Sequence, residues 1–81
     1  MSAERLDHDL VALLEDASVR HFRTGEPLLL RRGQLGTVVM VYEDGAVEVE
    51  FADRGGRPYA LVSVSRDKVM RLRDAPEHAV A

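Results

Sequence analysis

Apolar and polar residues alternate most regularly between Thr37 and Val64. Val38-Val39-Met40-Val41-Tyr42 is an apolar run rich in β-branched residues, which suits a pleated strand. Val47, Val49 and Phe51 then alternate with Glu48 and Glu50, and Ala60, Val62 and Val64 alternate with Leu61 and Ser63. Period two over such lengths predicts strands with one face buried. Asp44-Gly45 between the first two runs is the strongest short hairpin signal. Taken as a two-residue turn, it sets Tyr42 opposite Val47, Met40 opposite Val49 and Val38 opposite Phe51. Gly55-Gly56 is a second hairpin signal. It sets Phe51 opposite Ala60 and Val49 opposite Val62. The predicted core face is then Val38, Met40, Tyr42, Val47, Val49, Phe51, Ala60, Val62 and Val64. The opposite face carries Thr37, Val39, Val41, Glu48, Glu50, Tyr59, Leu61 and Ser63.

Before Thr37 the pattern is weaker. Leu10-Val11-Ala12-Leu13-Leu14, bounded by acids, fits one face of a helix as well as a buried strand, and periodicity alone does not separate the two. Ser2 is a potential cap for the helical version. Ala17 to Pro27 holds Ser18, Thr24, Gly25 and Pro27, all turn formers, and reads as a long loop. Leu28-Leu29-Leu30 is expected to pack at one end of the core. Gly33 and Gly36 lack the Lys-Ser/Thr of a phosphate loop, so their reading is backbone geometry, either positive φ or close packing. After Val64, Ser65–Lys68 reads as one tight turn and Val69–Leu72 as a last short strand. The predicted organisation is a flexible N-terminus over residues 1–8, one domain over 9–73, and a flexible tail over 74–81. Short strands, tight hairpins and a one-turn break predict an all-β fold, a small SH3-like barrel of about five strands.

Several stretches resemble a known family. Leu10–Asp16, Leu30–Val39 with its Gly33-Gln34-Leu35-Gly36-Thr37-Val38-Val39 centre, Glu48–Phe51 and Tyr59-Ala60 are similar to the small bacterial domain of unknown function 4926. The likeness spans residues 9–73. It implies a small β-barrel whose first strand is the Leu10–Leu14 segment, with a longer loop over His21–Leu29 than the shortest members have. It implies no reaction and no ligand. It suggests an accessory module beside another bacterial protein, as antitoxin or immunity partners are. Ribosomal and transcription-factor KOW motifs share a glycine-then-valine strand of this kind.

Composition narrows the chemistry. The chain of 81 residues has no cysteine and a net charge of −3. Charge alternates in blocks: residues 1–16 and 43–53 are acidic, 17–42 and 54–73 basic. That mixed surface argues against a dedicated nucleic-acid binder, which carries a basic excess. The polar start and the lack of a long apolar run predict a cytoplasmic protein with no membrane partner. His8, His21 and His78 lack metal-ligand spacing, so no metal or other cofactor is expected. The four serines sit in no nucleophile elbow. Glu48 and Glu50 lie on one strand face about 7 Å apart by strand rise. A barrel this small is expected to lack the cleft of about 300 Å³ that a small-molecule substrate needs, so catalysis is not expected.

Two binding readings are left. A solvent-facing sheet side should read polar, yet Val39, Val41, Tyr59 and Leu61 interrupt it. They form a candidate protein contact with Glu48, Glu50 and Arg57 as a polar rim, for a partner protein or a second copy in a homodimer. The alternative is a KOW-like nucleic-acid site on Arg20, Arg23, Arg31 and Arg32.

Overall fold

The computed structural model describes residues 8–79. The expectations for residues 1–7, Ser2 as a cap among them, and for 80–81 lie outside the described residues. The described chain is all-β, with one short 3-10 turn. Seven strands replace the expected five or so: β1 (Leu10–Leu13), β2 (Ala17–Arg20), β3 (Pro27–Leu30), β4 (Leu35–Val41), β5 (Ala46–Ala52), β6 (Pro58–Ser65) and β7 (Val69–Arg71). The 3-10 turn, Arg66–Lys68, joins β6 to β7. Five strands form one antiparallel sheet in the order β6-β5-β4-β1-β7, and β2 and β3 form a second. No pairing of β6 with β7 closes the larger sheet among the described residues, so the expected closed barrel is an open sheet faced by a hairpin.

Leu10–Leu13 is a strand because both its neighbours are strands. It pairs with β4 on one side and β7 on the other, so its apolar run sits mid-sheet. Val11 and Leu13 point into the core. Each contributes about 1.5–3 kcal/mol by leaving water.

The long loop expected over 17–27 is instead the β2–β3 hairpin, paired from Ala17–Leu30 to Arg20–Pro27. Ala17 and Val19 alternate with Ser18 and Arg20, and Leu28 and Leu30 turn to the same side. Only the hairpin tip uses the turn formers. The His21 amide donates to the Glu26 carbonyl at 2.8 Å, Gly25 takes φ 74°, and His21 Nδ1 accepts from the Arg23 and Thr24 amides. Leu30 is buried, and Ala17 and Val19 pack against the main core.

Both long hairpins turn with one residue more than expected. Tyr42 donates to the Ala46 carbonyl at 2.9 Å, so Glu43, Asp44 and Gly45 form the first loop, with Gly45 at φ 93°. Asp53 donates to Arg57 at 2.9 Å, leaving Arg54, Gly55 and Gly56 in the second, with Gly56 at φ 82°. This is the three-residue hairpin in which a left-handed glycine follows a type I turn. Asp44 and Asp53 side chains bind amides two residues on, which favours the tighter first bend.

The extra residue shifts register, and bulges then correct parity. In β5–β6 a register shift at Ala52 restores Phe51–Ala60 and Val49–Val62, the expected partners. In β4–β5, Val41 pairs with Val47 and Met40 with Glu48, and a bulge at Val39 then sets Val38 opposite Val49. Val38 therefore faces Val49, not Phe51. Met40 and Tyr42, expected inside, lie outside at 51% and 40% exposure. Val38, Val47, Val49, Phe51 and Ala60 are fully buried with Val11, Leu13, Leu30 and Val69, while Val62 and Val64 are half-buried against them.

Gly33 before β4 and Gly36 within it divide the two reasons expected for them. Gly33 takes φ 92° in the turn, and its amide donates to Leu13. Gly36 sits opposite Val11 with no room for a side chain, since a Cβ there would lie 2.6 Å from Val49 and 2.8 Å from Phe51.

At the N-terminal side, His8 donates to Val38 at 2.7 Å and Asp9 pairs with Arg71 at 3.1 Å, so the first described residues are tied to the sheet. Residues 72–79 form no helix or strand.

Candidate interaction surface

The face of the five-stranded sheet turned away from the core is built in rows. Met70, Ala12 and Leu35 stand side by side on β7, β1 and β4. Leu10, Thr37, Glu50 and Leu61 form the next row across β1, β4, β5 and β6. Met40, Glu48 and Ser63 form the third. Directly opposed residues on one face have Cβ atoms about 4.5–5.5 Å apart, so these rows make one continuous surface. Leu10, Leu35, Met40, Leu61 and Met70 are each 48–51% exposed, and the bulged Val39 is 38% exposed.

Two carboxylates interrupt the apolar rows. Glu48 Oε1 accepts from Tyr42 Oη at 3.0 Å and from Ser63 Oγ. The hydrogen bond to Glu48, with smaller contributions from desolvation and the carboxylate's negative charge, holds the Tyr42 phenol above its ordinary pKa. The side-chain carboxylate of Glu50, half-buried between Thr37 and Leu61, makes no hydrogen bond or ion pair with any described residue. The face carries no lysine or arginine in these rows.

The residues expected at a protein contact are partly gathered here. Leu61, Val39, Glu48 and Glu50 share this face. Val41 does not: the register sets it opposite core Val47, although it stays 41% exposed near the strand end. Tyr59 also leaves the face, because it packs against the core and its ring lies 6.4 Å from that of His21. Burial and the charge of Asp53 raise the Tyr59 pKa. Arg57 belongs to the second turn. It lies four residues from Leu61, about 13 Å along the strand, and does not rim the carboxylates.

Leu10, Leu35, Met40 and Met70 are the members that sequence reasoning missed. The β1 run is apolar on both faces, so it carries no period. A two-residue turn would send Met40 inward, and the three-residue turn sends it out.

The four arginines do not gather into one patch. Arg20 is at the tip end of the β2–β3 hairpin, where its guanidinium donates to Gly25 O at 2.9 Å, and Arg23 lies over the Phe22 ring at 5.9 Å. Arg31 and Arg32 follow the far end of the hairpin, where Asp16 pairs with the Arg31 side chain at 3.3 Å and accepts from the Arg32 amide at 2.7 Å.

The surface does hold concavities larger than expected. One of about 630 Å³ is lined by Ser18–Arg20 and Pro27–Leu29, and one of about 350 Å³ by residues that include His21, Leu30, Gln34, Asp53 and Tyr59. Both lie along the hairpin, away from Glu48 and Glu50. Among the described residues no group of three or more His, Asp or Glu could hold a metal ion, and no helix is long and apolar enough to cross a membrane.

A family model, the domain of unknown function DUF4926, matches residues 7–71. The chain is a member of the DUF4926 family. The match runs through all seven strands, so the open sheet, the hairpin and the outer face all belong to the DUF4926 domain. No curated protein and no solved structure matches the chain.

Proposed function

We propose that this DUF4926 domain is a non-catalytic, cytoplasmic interaction module. It docks a protein partner on the outer face of its five-stranded sheet. In that reading it is an accessory to another bacterial protein, in the manner of an antitoxin or immunity partner. The observation that supports this is the set Leu10, Leu35, Met40, Leu61 and Met70, half exposed on one face. Large contiguous apolar patches are uncommon on monomers and mark contact sites. Glu48 and Glu50 inside the patch favour a partner that offers cations beside its apolar groups. The divided arginines give no single basic surface for nucleic acid.

The test is affinity purification from the native cell, with the domain as bait, at low and at moderate salt. A single protein is expected to stay bound through moderate salt and to be lost from Leu35→Glu and Met40→Glu baits that remain folded. Apolar contact survives salt, whereas phosphate contacts weaken steeply. Bound nucleic acid that is released by salt, and by Arg20→Ala with Arg23→Ala, would overturn the proposal.

A further inference from the structure

We propose that β6 pairs through its free edge with β6 of a second copy of this chain, antiparallel, about a twofold axis at Ser63. Strand β6 ends the sheet order, so no strand is laddered along its outer side, although the end of β2 approaches it where Phe22 bonds Tyr59. The direction of its backbone groups follows from the pairing. Tyr42 donates to the Ala46 carbonyl, so Ala46 faces β4. By alternation Val47, Val49 and Phe51 face β6, where they meet Val64, Val62 and Ala60. Leu61, Ser63 and Ser65 therefore point their N–H and C=O groups away from β5. Tyr59 shares their parity, and its carbonyl accepts from the Phe22 amide at 2.9 Å. That bond confirms the direction and occupies the edge at Tyr59. Beyond it, no described residue hydrogen-bonds to the outward groups of Leu61 or Ser63.

An exposed strand edge is normally guarded by charge, proline or a bulge. Here Pro58 and the register shift guard only the start of β6. Ala60-Leu61-Val62-Ser63-Val64-Ser65 carries no charge. The free stretch runs from Leu61 to Ser65, and Ser63 is its midpoint. Paired there, the two Ser63 residues exchange both N–H···O bonds, and each Ser65 amide donates to Leu61 of the other copy. Only small hydroxyl side chains meet at the axis, so no like charges oppose each other. This matching of the strand with itself points to a second copy as the occupant. The contact is narrow, which makes the dimer weak and dependent on concentration.

Sedimentation velocity over roughly a hundredfold range of concentration tests this, because dimerisation follows mass action. The full chain is expected to pass from monomer to dimer, with amide exchange at Leu61, Ser63 and Ser65 slowing in step. Ser63→Pro removes an outward amide that β5 does not use, and proline is tolerated at such edge positions. It is expected to give a monomer throughout with the same circular dichroism. Ser63→Lys, which sets two cations at the axis beside Glu48, decides the matter if the proline variant fails to fold. A wild-type monomer throughout, or open-ended oligomers, would overturn the proposal. So would a dimer that both variants leave intact, or a monomer that takes a foreign strand peptide at this edge.

Discussion

Phe51→Ala is expected to lower the thermal midpoint by about 15–30 °C. The ring is fully buried, and it packs with Val38, Val49 and Ala60 beneath Gly36. Removing a buried phenylalanine costs about 3–5 kcal/mol, from lost transfer and from the cavity left behind. A domain of this length holds about 4–12 kcal/mol in total, at 0.05–0.15 kcal/mol per residue. The loss therefore takes about a quarter or more of the margin, and each kcal/mol moves the midpoint by about 4–8 °C. Scanning calorimetry measures it. A fall of only a few degrees would mean that the ring lies at the margin of the core.

Gly36→Ala is expected to destabilise the domain by about 1–3 kcal/mol, the usual range for overpacking. Alanine normally stabilises relative to glycine, by about 0.4–1 kcal/mol through the unfolded chain. At this position the contacts decide the sign. The new methyl would meet Val49 Cγ1 at 2.6 Å and two Phe51 ring carbons at 2.8 and 3.0 Å. Those atoms are a methyl of a stiff β-branched side chain and ring-edge carbons held in a fully buried cluster, so they have little room to yield. Adding Val49→Ala makes space for the methyl. Urea denaturation of the two single variants and the double variant is expected to show strong non-additivity, with the double variant less destabilised than the sum. Simple additivity would mean that the methyl does not press on Val49.

The sequence allowed much of this fold to be read, for reasons that specific residues make plain. Val49 and Phe51 alternate with Glu48 and Glu50, so their face was unambiguous. A bulge kept Phe51–Ala60 and Val49–Val62 where a simple two-residue turn had set them. The same reasoning failed on β4, where Val38 to Tyr42 is apolar throughout. A strand with no polar residue carries no record of its own face, and one added turn residue reversed Met40 and Val41. The β2–β3 hairpin was obscured differently. Ser18 and Pro27 suggest a loop, but the second sheet they belong to is stabilised by Leu30 and Val19 packing on distant strands. Local propensity does not contain that contact. The outer face suffered from both effects: Leu61, Glu48 and Glu50 were legible, whereas Leu10, Leu35 and Met70 come together only through pairings distant in sequence.

The most direct test of the central claim is methyl NMR with a soluble paramagnetic agent, at a concentration where the chain is monomeric. Methyl signals of Leu10, Leu35, Met40, Leu61 and Met70 are expected to broaden strongly, while those of Val38, Val47 and Val49 stay sharp. A sharp, shielded Met40 would return the β4–β5 hairpin to a two-residue turn with Met40 opposite Val49, and would take Met40 out of the apolar outer face on which the proposed docking rests.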